Sequence, residues 1–305
     1  YGGGAIPSPS PQSVNWIDMF AMSTSGLAVD FGDLTDDRYT SQNAGSSSTR
    51  GLWGGSYTYP SPNAYLNTID YVTIATQGNA INFGDQTFAA HALGGVSNET
   101  RFVQGGGYNP SPTLHNTISY VTISSTGDAA DFGDLIYKRG MVGAIGNRTR
   151  GIWGGGSPLG FPTQGASNEM QYINFATTGN SADFGDLYTG VYWTAGASNN
   201  IRGVWAGGVT GNSPAGPYTG QTLCQTVLFA SLGNSTPFGD LTDDRRNGGV
   251  TGSPLAGYIG GGEPGRKTDI MKFSLTGSDA HAYSFGDLNN GNAYNAGVSN
   301  CHGGL

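Results

Sequence analysis

The chain has 305 residues, of which 53 are Gly and only 11% are charged, and its formal net charge is −8. Aromatic residues make up 11%, which is too many for a disordered tract, and the absence of a Gly-X-Y period excludes a collagen. The acidic balance argues against nucleic acid as a partner, and no apolar run is long enough to predict insertion into a membrane as a helix. Gly inside a helix or strand costs roughly 0.5–1 kcal/mol relative to Ala, so we expect most glycines in turns and close contacts, which is typical of an all-β protein.

Two markers recur along the chain with one period. The tripeptide Phe-Gly-Asp occurs six times, at spacings of 52, 49, 52, 54 and 47 residues. A Gly pair or triplet recurs with it, from Gly2 onward. Because the two markers are independent, their shared period indicates a sixfold internal repeat. The tripeptides begin at Phe31, Phe83, Phe132, Phe184, Phe238 and Phe285.

Within one repeat the sequence predicts four short strands. In the second repeat they cover residues 38–46, 49–54, 68–75 and 80–83. A Pro-containing loop follows the Gly pair, since Pro cannot donate to a central ladder. A four-stranded sheet cannot bury both faces alone, whereas six such sheets packed around an axis do so. We therefore predict a single all-β domain, residues 1–305, folded as a six-bladed β-propeller with four-stranded blades. A β-solenoid is the second choice.

The two ends of the chain predict how the ring closes. Tyr1 starts at the Gly-rich point of a repeat, and residues 299–304 stop just short of the next Pro loop. The first repeat lacks its opening strands, and the last repeat supplies them. We expect one blade to combine strands from both termini and so to close the circle.

The Phe-Gly-Asp tripeptide has a structural and a functional interpretation. In the structural one, Phe fills the core between blades, Gly permits a turn, and Asp accepts backbone N–H bonds. The alternative is a ring of cation ligands, although calcium loops gather several oxygen ligands within a few residues. The structural interpretation is favoured for all six aspartates, which are Asp33, Asp85, Asp134, Asp186, Asp240 and Asp287.

A Thr-Arg-Gly segment and a Trp before the Gly pair also recur. Arg suits bidentate contacts with carboxylates, so we expect the repeat arginines to pair with the repeat aspartates, the alternative being an anion-binding ring. The tryptophans are expected to pack between sheets, the alternative being sugar binding. The arginines are Arg50, Arg101, Arg150 and Arg202, and the tryptophans are Trp53, Trp153 and Trp205.

The Pro loops are the candidate binding surface. They vary most in length and sequence, and in a propeller they lie on the same face as the connections between blades. Variable aromatic loops on a rigid scaffold often carry recognition; the alternative is packing against neighbouring loops or against another subunit. The candidate binding residues are Tyr57, Tyr59, Tyr65, Tyr108, Phe161 and Tyr218.

The sequence gives little support for catalysis, metal binding or covalent modification. Catalytic elbow, phosphate-loop and zinc spacings are missing, so we expect no enzyme, no cofactor and no metal. Cys224 is predicted to be a small buried hydrophobe. The sequence does not decide whether it forms a disulfide with Cys301. Asn98, Asn147 and Asn234 match glycosylation acceptors, which is weak support in a chain rich in Asn, Ser and Thr.

A Gly pair after an apolar strand, followed by an aromatic-containing strand with a period near 50, resembles the Kelch-type propeller repeat. The fuller pattern, exemplified by Tyr120-Val121-Thr122-Ile123, by Phe132-Gly133-Asp134-Leu135 and by Thr149-Arg150-Gly151, is similar to repeats in virion and tail-associated proteins of tailed phages. The resemblance covers the whole chain. It specifies a fold more strongly than a function, because propellers host many functions.

The resemblance implies a non-enzymatic structural or binding module of a phage virion, in a tail, fibre or surface appendage. Its expected partners are other virion subunits and cell-surface glycan, and its expected location is extracellular or on the virion surface. One alternative is a subunit of an extracellular filament or surface layer. Another alternative is a carbohydrate-binding propeller.

Overall fold

The computed structural model describes residues 1–6, 12–60, 64–109, 113–159, 165–211, 219–278 and 281–301. Within these segments the regular secondary structure consists of β-strands. No helix in them is long and apolar enough to cross a membrane. Six small antiparallel sheets stand in a ring. The predicted six-bladed β-propeller is therefore confirmed.

Blades 2 to 6 each have four strands in chain order, from the inner strand at the axis to the outer strand at the rim. Blade 2 consists of Ala44–Ser46, Arg50–Trp53, Thr68–Thr73 and Ile81–Asp85. Blade 3 consists of His91–Ser97, Arg101–Tyr108, Thr117–Thr122 and Ala130–Asp134. Blade 4 consists of Gly143–Gly146, Arg150–Gly154, Glu169–Asn174 and Ala182–Asp186. Blade 5 consists of Ala195–Ser198, Arg202–Ala206, Leu223–Leu228 and Thr236–Asp240, and blade 6 of Gly249–Gly252, Ala256–Gly260, Asp269–Ser274 and Tyr283–Asp287. Two short strand pairs extend the loops, Ser56–Tyr57 with Tyr65–Leu66 and Val209–Thr210 with Thr219–Gly220.

The strand predicted over residues 38–46 was wrong in its first half. Arg38 ends the outer strand of blade 1, and the inner strand of blade 2 begins only at Ala44. Between them, Ser41 and Gln42 have φ angles of 45° and 68°. This left-handed backbone is incompatible with a strand, so the segment forms the connection between two blades.

Blade 1 closes the ring and joins the two ends of the chain. Its sheet contains Ala5–Ile6, Gln12–Met19 and Val29–Arg38. Ala296 takes the inner position: the Gly2 N–H donates to the Ala296 carbonyl at 2.9 Å. The expected closure by both termini is confirmed, with the inner strand position supplied from the C-terminal side. Gly26–Leu27 adds a parallel strand to the rim of blade 6.

Serine hydroxyls fasten neighbouring inner strands around the axis. Ser97 Oγ accepts from the Ser46 N–H at 2.8 Å and donates to the Ser46 carbonyl at 3.0 Å, and Ser198 makes the same two bonds with Gly146. The strands approach this closely because their residues are small. The central channel they enclose has a volume of only about 90 Å³.

The hydrophobic core lies between the blades. Leu52, Ile69 and Phe83 of blade 2 pack against Phe102 and Val121 of blade 3, and the other junctions repeat this layer. The repeat tryptophans are fully buried, as expected for packing between sheets. Their indole N–H groups donate to inner-strand carbonyls of the preceding blade: Trp53 to Ala296, Trp153 to Gly94 and Trp205 to Gly143, at 2.9–3.1 Å.

The Phe-Gly-Asp tripeptide holds each blade to the next one at the rim. The Gly127 N–H of blade 3 donates to the Phe83 carbonyl of blade 2 at 2.8 Å, and the Ala129 N–H donates to the Asp85 carbonyl at 2.7 Å. The Asp85 N–H in turn donates to the side chain of Asp128 at 2.9 Å. The Asp85 backbone therefore makes these contacts, rather than its carboxylate as expected. The same pattern joins blades 1 and 2, 3 and 4, and 4 and 5 through Gly78, Gly179 and Gly233.

The expected pairing of repeat arginines with repeat aspartates was wrong. The Arg50 Nη1 donates to the Ile123 carbonyl of the next blade at 2.8 Å, and its guanidinium lies 4.7 Å from the centre of the Tyr71 ring. Arg101 and Arg150 repeat this arrangement over Tyr120 and Tyr172, and Arg202 lies over Phe238. Each Arg begins the second strand of its blade, whereas the Asp ends the outer strand in blades 2 to 6. Because these strands run in the same direction, the two residues lie at opposite ends of the blade.

Three other arginines, which sequence reasoning missed, form ion pairs across alternate junctions. Arg38 pairs with Asp70 at 2.9 Å, and both side chains are completely buried. Arg139 pairs with Glu169, and Arg245 pairs with Asp269. Each of these arginines closely follows a Phe-Gly-Asp-Leu segment. That shared position is the signal that could have identified them.

The close approach at the rim predicts unequal effects of two glycine substitutions. A Cβ on Gly84 would lie 2.3 Å from the Gly127 carbonyl oxygen, whereas a Cβ on Gly127 would meet nothing within 4 Å, and both residues have φ near 150°. An alanine would be strained by the same backbone conformation at both positions, but only at Gly84 would it also collide with a neighbouring carbonyl. Gly84→Ala should therefore lower the free energy of unfolding by about 1–3 kcal/mol more than Gly127→Ala. Denaturant unfolding measures the difference, and equal losses would contradict the proposed contact.

Candidate functional site

One face of the propeller gathers the variable segments. The second and outer strands run toward the same end of each blade, so the Pro loops and the connections between blades emerge together on what we call the loop face. Isolated bridges join the two kinds of segment. These bridges are Tyr39 with Tyr57, Gly140 with Ser157, Tyr192 with Val209, Arg246 with Glu263 and Ala293 with Ala5.

At the start of each inner strand or just before it, one non-glycine residue per blade has left-handed backbone, and these six equivalent residues surround the axis. Their φ angles lie between 45° and 61°, a conformation that costs of order 1–3 kcal/mol per residue and persists where the surroundings impose it. Here backbone hydrogen bonds connect them around the axis, as from the Tyr294 N–H to the Asn247 carbonyl at 2.7 Å and from the Trp193 N–H to the Met141 carbonyl at 2.9 Å. This mouth ring consists of Ser41, Ala92, Met141, Trp193, Asn247 and Tyr294.

Aromatic side chains converge beside the mouth ring. The Tyr57 ring lies 5.0 Å from Tyr65, 5.9 Å from Tyr39 and 5.9 Å from His91, centre to centre. His91 also contacts Tyr108 at 5.3 Å. We define the aromatic sector as Tyr39, Tyr57, Tyr59, Tyr65, His91, Tyr108, Trp193 and Tyr294.

A stacked pair connects this sector to the mouth ring. The rings of Tyr39 and Tyr294 lie 5.1 Å apart and nearly parallel, and Trp193 meets Tyr294 edge-on at 6.4 Å. Tyr39 and Tyr294 come from opposite ends of the chain. The closure of the ring therefore assembles this pair.

Four predicted binding residues occupy the sector. Tyr57, Tyr59, Tyr65 and Tyr108 lie within one chain of ring contacts. Phe161 and Tyr218 lie outside the described residues. Sequence reasoning missed a second group, in the connections between blades: Tyr39, His91, Trp193 and Tyr294. The sequence could have indicated this group, because the connections between blades were already expected on the same face as the Pro loops.

His91 is a neutral member of the sector. It is buried, and its Nδ1 lies 3.0 Å from the hydroxyl of Ser56. Burial lowers its pKa from 6.5 to about 4, because the charged imidazolium loses its hydration. The ring therefore packs against Tyr57 and Tyr108 as an uncharged imidazole at neutral pH.

Tyr39, Tyr108 and Tyr294 also stay neutral at pH 7. Burial raises the pKa of Tyr39 to about 12, and it raises the pKa values of Tyr108 and Tyr294 as well. Their hydroxyls therefore remain hydrogen-bond donors and acceptors. The Tyr294 hydroxyl donates to Glu263 at 3.5 Å, and Glu263 also pairs with Arg246 at 3.1 Å.

Two buried polar atoms of the mouth ring lack a hydrogen-bond partner within the described part of the chain. They are Asn247 Nδ2 and Ser41 Oγ. Both residues contact Tyr294 through the backbone. The aromatic sector and the adjoining mouth ring thus combine aromatic side chains with unmet hydrogen-bonding capacity, a combination suited to binding a polar ligand with apolar faces.

The remaining candidates are the two cysteines and the three acceptor asparagines. Cys224 and Cys301 are free thiols. The Nδ2 atoms of Asn98 and Asn147 donate to Arg148 and Asn200 of the next blade, and Asn234 accepts from the Asp186 N–H. Among the residues that the structure describes, no three His, Cys, Asp or Glu side chains could together hold a metal ion.

Comparison with known proteins leaves the family open. No protein-family model matches this chain, and no curated protein sequence matches it. The fold and the loop face therefore carry the functional argument.

The buried His91 predicts a loss of stability in mild acid. Below pH 6.5 the His91 imidazole binds a proton in the unfolded chain, whereas in the folded protein it stays neutral down to about pH 4. The free energy of unfolding should therefore fall on acidification, by roughly 2 kcal/mol between pH 6.5 and 5 from this group alone. Denaturant unfolding of the parent and of His91→Gln, which removes the titrating group, measures the difference. His115→Gln is the comparison: burial and Lys138 also lower the pKa of this half-buried histidine, but less than burial lowers that of His91, so the variant should reduce the pH dependence less. An unchanged slope in His91→Gln would contradict the assignment.

Proposed function

We propose that this protein is a non-enzymatic extracellular binding module that recognises cell-surface glycan through the aromatic sector. The observation that carries the proposal is the convergence of neutral aromatic rings from separate repeats beside the mouth ring. Apolar faces of sugar rings stack on aromatic side chains, while sugar hydroxyls bond to tyrosine hydroxyls and amides. The unpartnered Nδ2 of Asn247 adds a donor for such a ligand.

The setting we propose is a phage virion, in a tail, fibre or surface appendage. The support is the similarity of the repeat pattern to virion and tail-associated proteins of tailed phages. A chain with 11% charged residues and 53 glycines also suits a rigid surface outside cells. Detection of the chain by mass spectrometry in purified particles supports this setting, and its absence from them overturns it.

Glycan binding is tested by an array of cell-surface oligosaccharides, followed by titration of each hit. Tyr59 is 36% exposed, so Tyr59→Ala should leave the fold intact and weaken binding about tenfold, because it removes one stacking surface. Tyr65→Ala should act in the same direction.

The matched control is Tyr283→Ala. Tyr283 is 53% exposed but lies in the outer strand of blade 6, at the end away from the loop face. Its removal should leave the affinity unchanged. Equal effects of Tyr59→Ala and Tyr283→Ala, or an array without any hit, would contradict glycan recognition at the aromatic sector.

A second candidate function is assembly into a filament or surface layer through the face opposite the loop face. Blade 5 exposes Ile201, Leu228 and Leu232 there, at 69%, 47% and 55%. Ile201 lies beside Leu228, since the Phe229 N–H donates to the Ile201 carbonyl. Contiguous apolar residues of this kind often mark protein–protein contacts.

Sedimentation of purified protein over a range of concentrations tests assembly. Assembly through this face should be lost in the double variant Ile201→Ser, Leu232→Ser, because the variant removes the apolar area that the contact would bury. The loop-face variant Tyr59→Ala should assemble like the parent. A parent that stays monomeric at all concentrations without ligand rules this candidate out.

A further inference from the structure

A cleft lies on blade 6 where it meets blade 1, on the face opposite the loop face. Its volume is about 590 Å³, within the range of about 300–1,000 Å³ that is typical of small-ligand sites. Lys272, Tyr258 and Tyr283 of blade 6 line it, and Met22 borders it from blade 1.

In four other blades an arginine occupies the position at which this cleft begins. Arg50 starts the second strand of blade 2, and its Nη1 donates to the Ile123 carbonyl of blade 3 at 2.8 Å while its guanidinium covers Tyr71. These guanidinium groups hold neighbouring blades together. The bond to a carbonyl of the following blade recurs in blades 3, 4 and 5, from Arg101, Arg150 and Arg202.

Blade 6 departs from this pattern in two strands. Its second strand begins with Ala256, which pairs with Ser274 as Arg50 pairs with Thr73. In its third strand, Lys272 stands at the position that Tyr71 holds in blade 2. The cation therefore comes from the third strand instead of the second. Ala256 lines the cleft, because its methyl group fills little of the space that a guanidinium takes in the other blades.

A tyrosine replaces the structural bond of the missing arginine. The Tyr258 hydroxyl donates to the Met22 carbonyl of blade 1 at 2.8 Å. Met22 corresponds to Ile123, since each stands five residues after the isoleucine that pairs with a Gly of the second-strand line. A neutral phenol thus makes the bond between the blades, and the Lys272 ammonium is not needed for it.

The half-buried Lys272 side chain lies among aromatic rings. Its Nζ is 5.0 Å from the centre of the Phe285 ring and 5.4 Å from that of Tyr258. The ion pairs among the residues that the structure describes do not include Lys272. Burial lowers the pKa of Lys272, but the hydroxyls of Tyr258 and Tyr283 outweigh it and raise the pKa above its usual value. The side chain is therefore cationic at neutral pH.

We propose that this cleft binds a carboxylate-bearing sugar residue, of the uronic acid or sialic acid type, with the carboxylate paired to the Lys272 ammonium. A cation in a partly apolar cleft attracts a carboxylate more strongly than a cation in open solvent does. The Tyr283 ring is 53% exposed, so the apolar face of a sugar ring has a surface to stack on. Hydroxyl-bearing residues line the same cleft and suit the sugar hydroxyls; they are Ser23, Ser253, Ser274 and Thr276.

An NMR titration of the protein with glucuronic acid and with glucose tests the proposal. The two probes differ only in the carboxylate, so the parent should bind glucuronic acid about tenfold more tightly, as expected for one charged hydrogen bond. Lys272→Met removes the charge but keeps an unbranched apolar stem, and it should abolish this preference. Lys272→Arg should retain it.

The matched control is Lys138→Met. Lys138 is exposed on the loop face, and its replacement changes the net charge equally, so this variant should prefer glucuronic acid like the parent. Rising ionic strength should weaken the binding of glucuronic acid to the parent, because salt screens the charge pair. That measurement decides the matter if Lys272→Met does not fold.

Four results would overturn the proposal. The parent could bind both sugars equally, or Lys272→Met could still prefer glucuronic acid. Acetate could bind as tightly as glucuronic acid, which would leave an anion site without sugar recognition. A glutamate-containing peptide could bind more tightly than glucuronic acid, which would assign the cleft to a protein segment.

The outcome is separable from glycan recognition at the aromatic sector. Tyr59→Ala should bind glucuronic acid like the parent, and Lys272→Met should keep the parent's affinity for uncharged glycans of the array. Tyr59→Ala and Tyr283→Ala are therefore compared on uncharged glycans, which the cleft does not select. Failure of one site then leaves the result at the other site unchanged.

Discussion

The ring depends on a close approach between backbones at the rim of the propeller. The outer strand of one blade presents Phe, Gly and Asp to a Gly-containing turn of the next blade, and two backbone hydrogen bonds join them at 2.7–2.8 Å at the junctions of blades 1 to 5. A side chain on the central Gly would collide with the neighbouring carbonyl. Because outer strands would otherwise expose unpaired backbone groups, this contact both orients the blades and covers most of each edge.

The inner strands impose the complementary constraint at the axis. Serine hydroxyls and small residues let them pack around a channel of about 90 Å³, and the indole N–H groups of three tryptophans tie blades 2, 4 and 5 to their predecessors. Ion pairs of buried arginines occupy alternate junctions, so the six repeats are not equivalent. Such polar contacts distinguish one junction from the next, since an unpaired buried charge would be costly.

The contacts at the rim and at the axis hold the blades together, so the residues of the loop face can vary in sequence. The mouth ring keeps six residues in an unfavourable backbone conformation, and its hydrogen bonds compensate for that strain. Aromatic rings from the connections and from the Pro loops pack against one another beside the mouth ring. The rigid scaffold therefore presents a surface whose chemistry is set by loop residues alone, which is why we assign recognition to it.

The repeat pattern by itself determined the number of blades, the all-β class, the ring closure and the burial of Trp53, Trp153 and Trp205, because strands, turns and core positions recur with a local period. It also placed Tyr57, Tyr59, Tyr65 and Tyr108 on one face. The partners of the repeat arginines depended on tertiary structure, since strand direction puts Arg50 and Asp85 at opposite ends of a blade. The stacking of Tyr39 on Tyr294 likewise joins residues from the two ends of the chain at 5.1 Å. Contacts of this kind arise from the curvature of the closed ring, which a one-dimensional period does not contain.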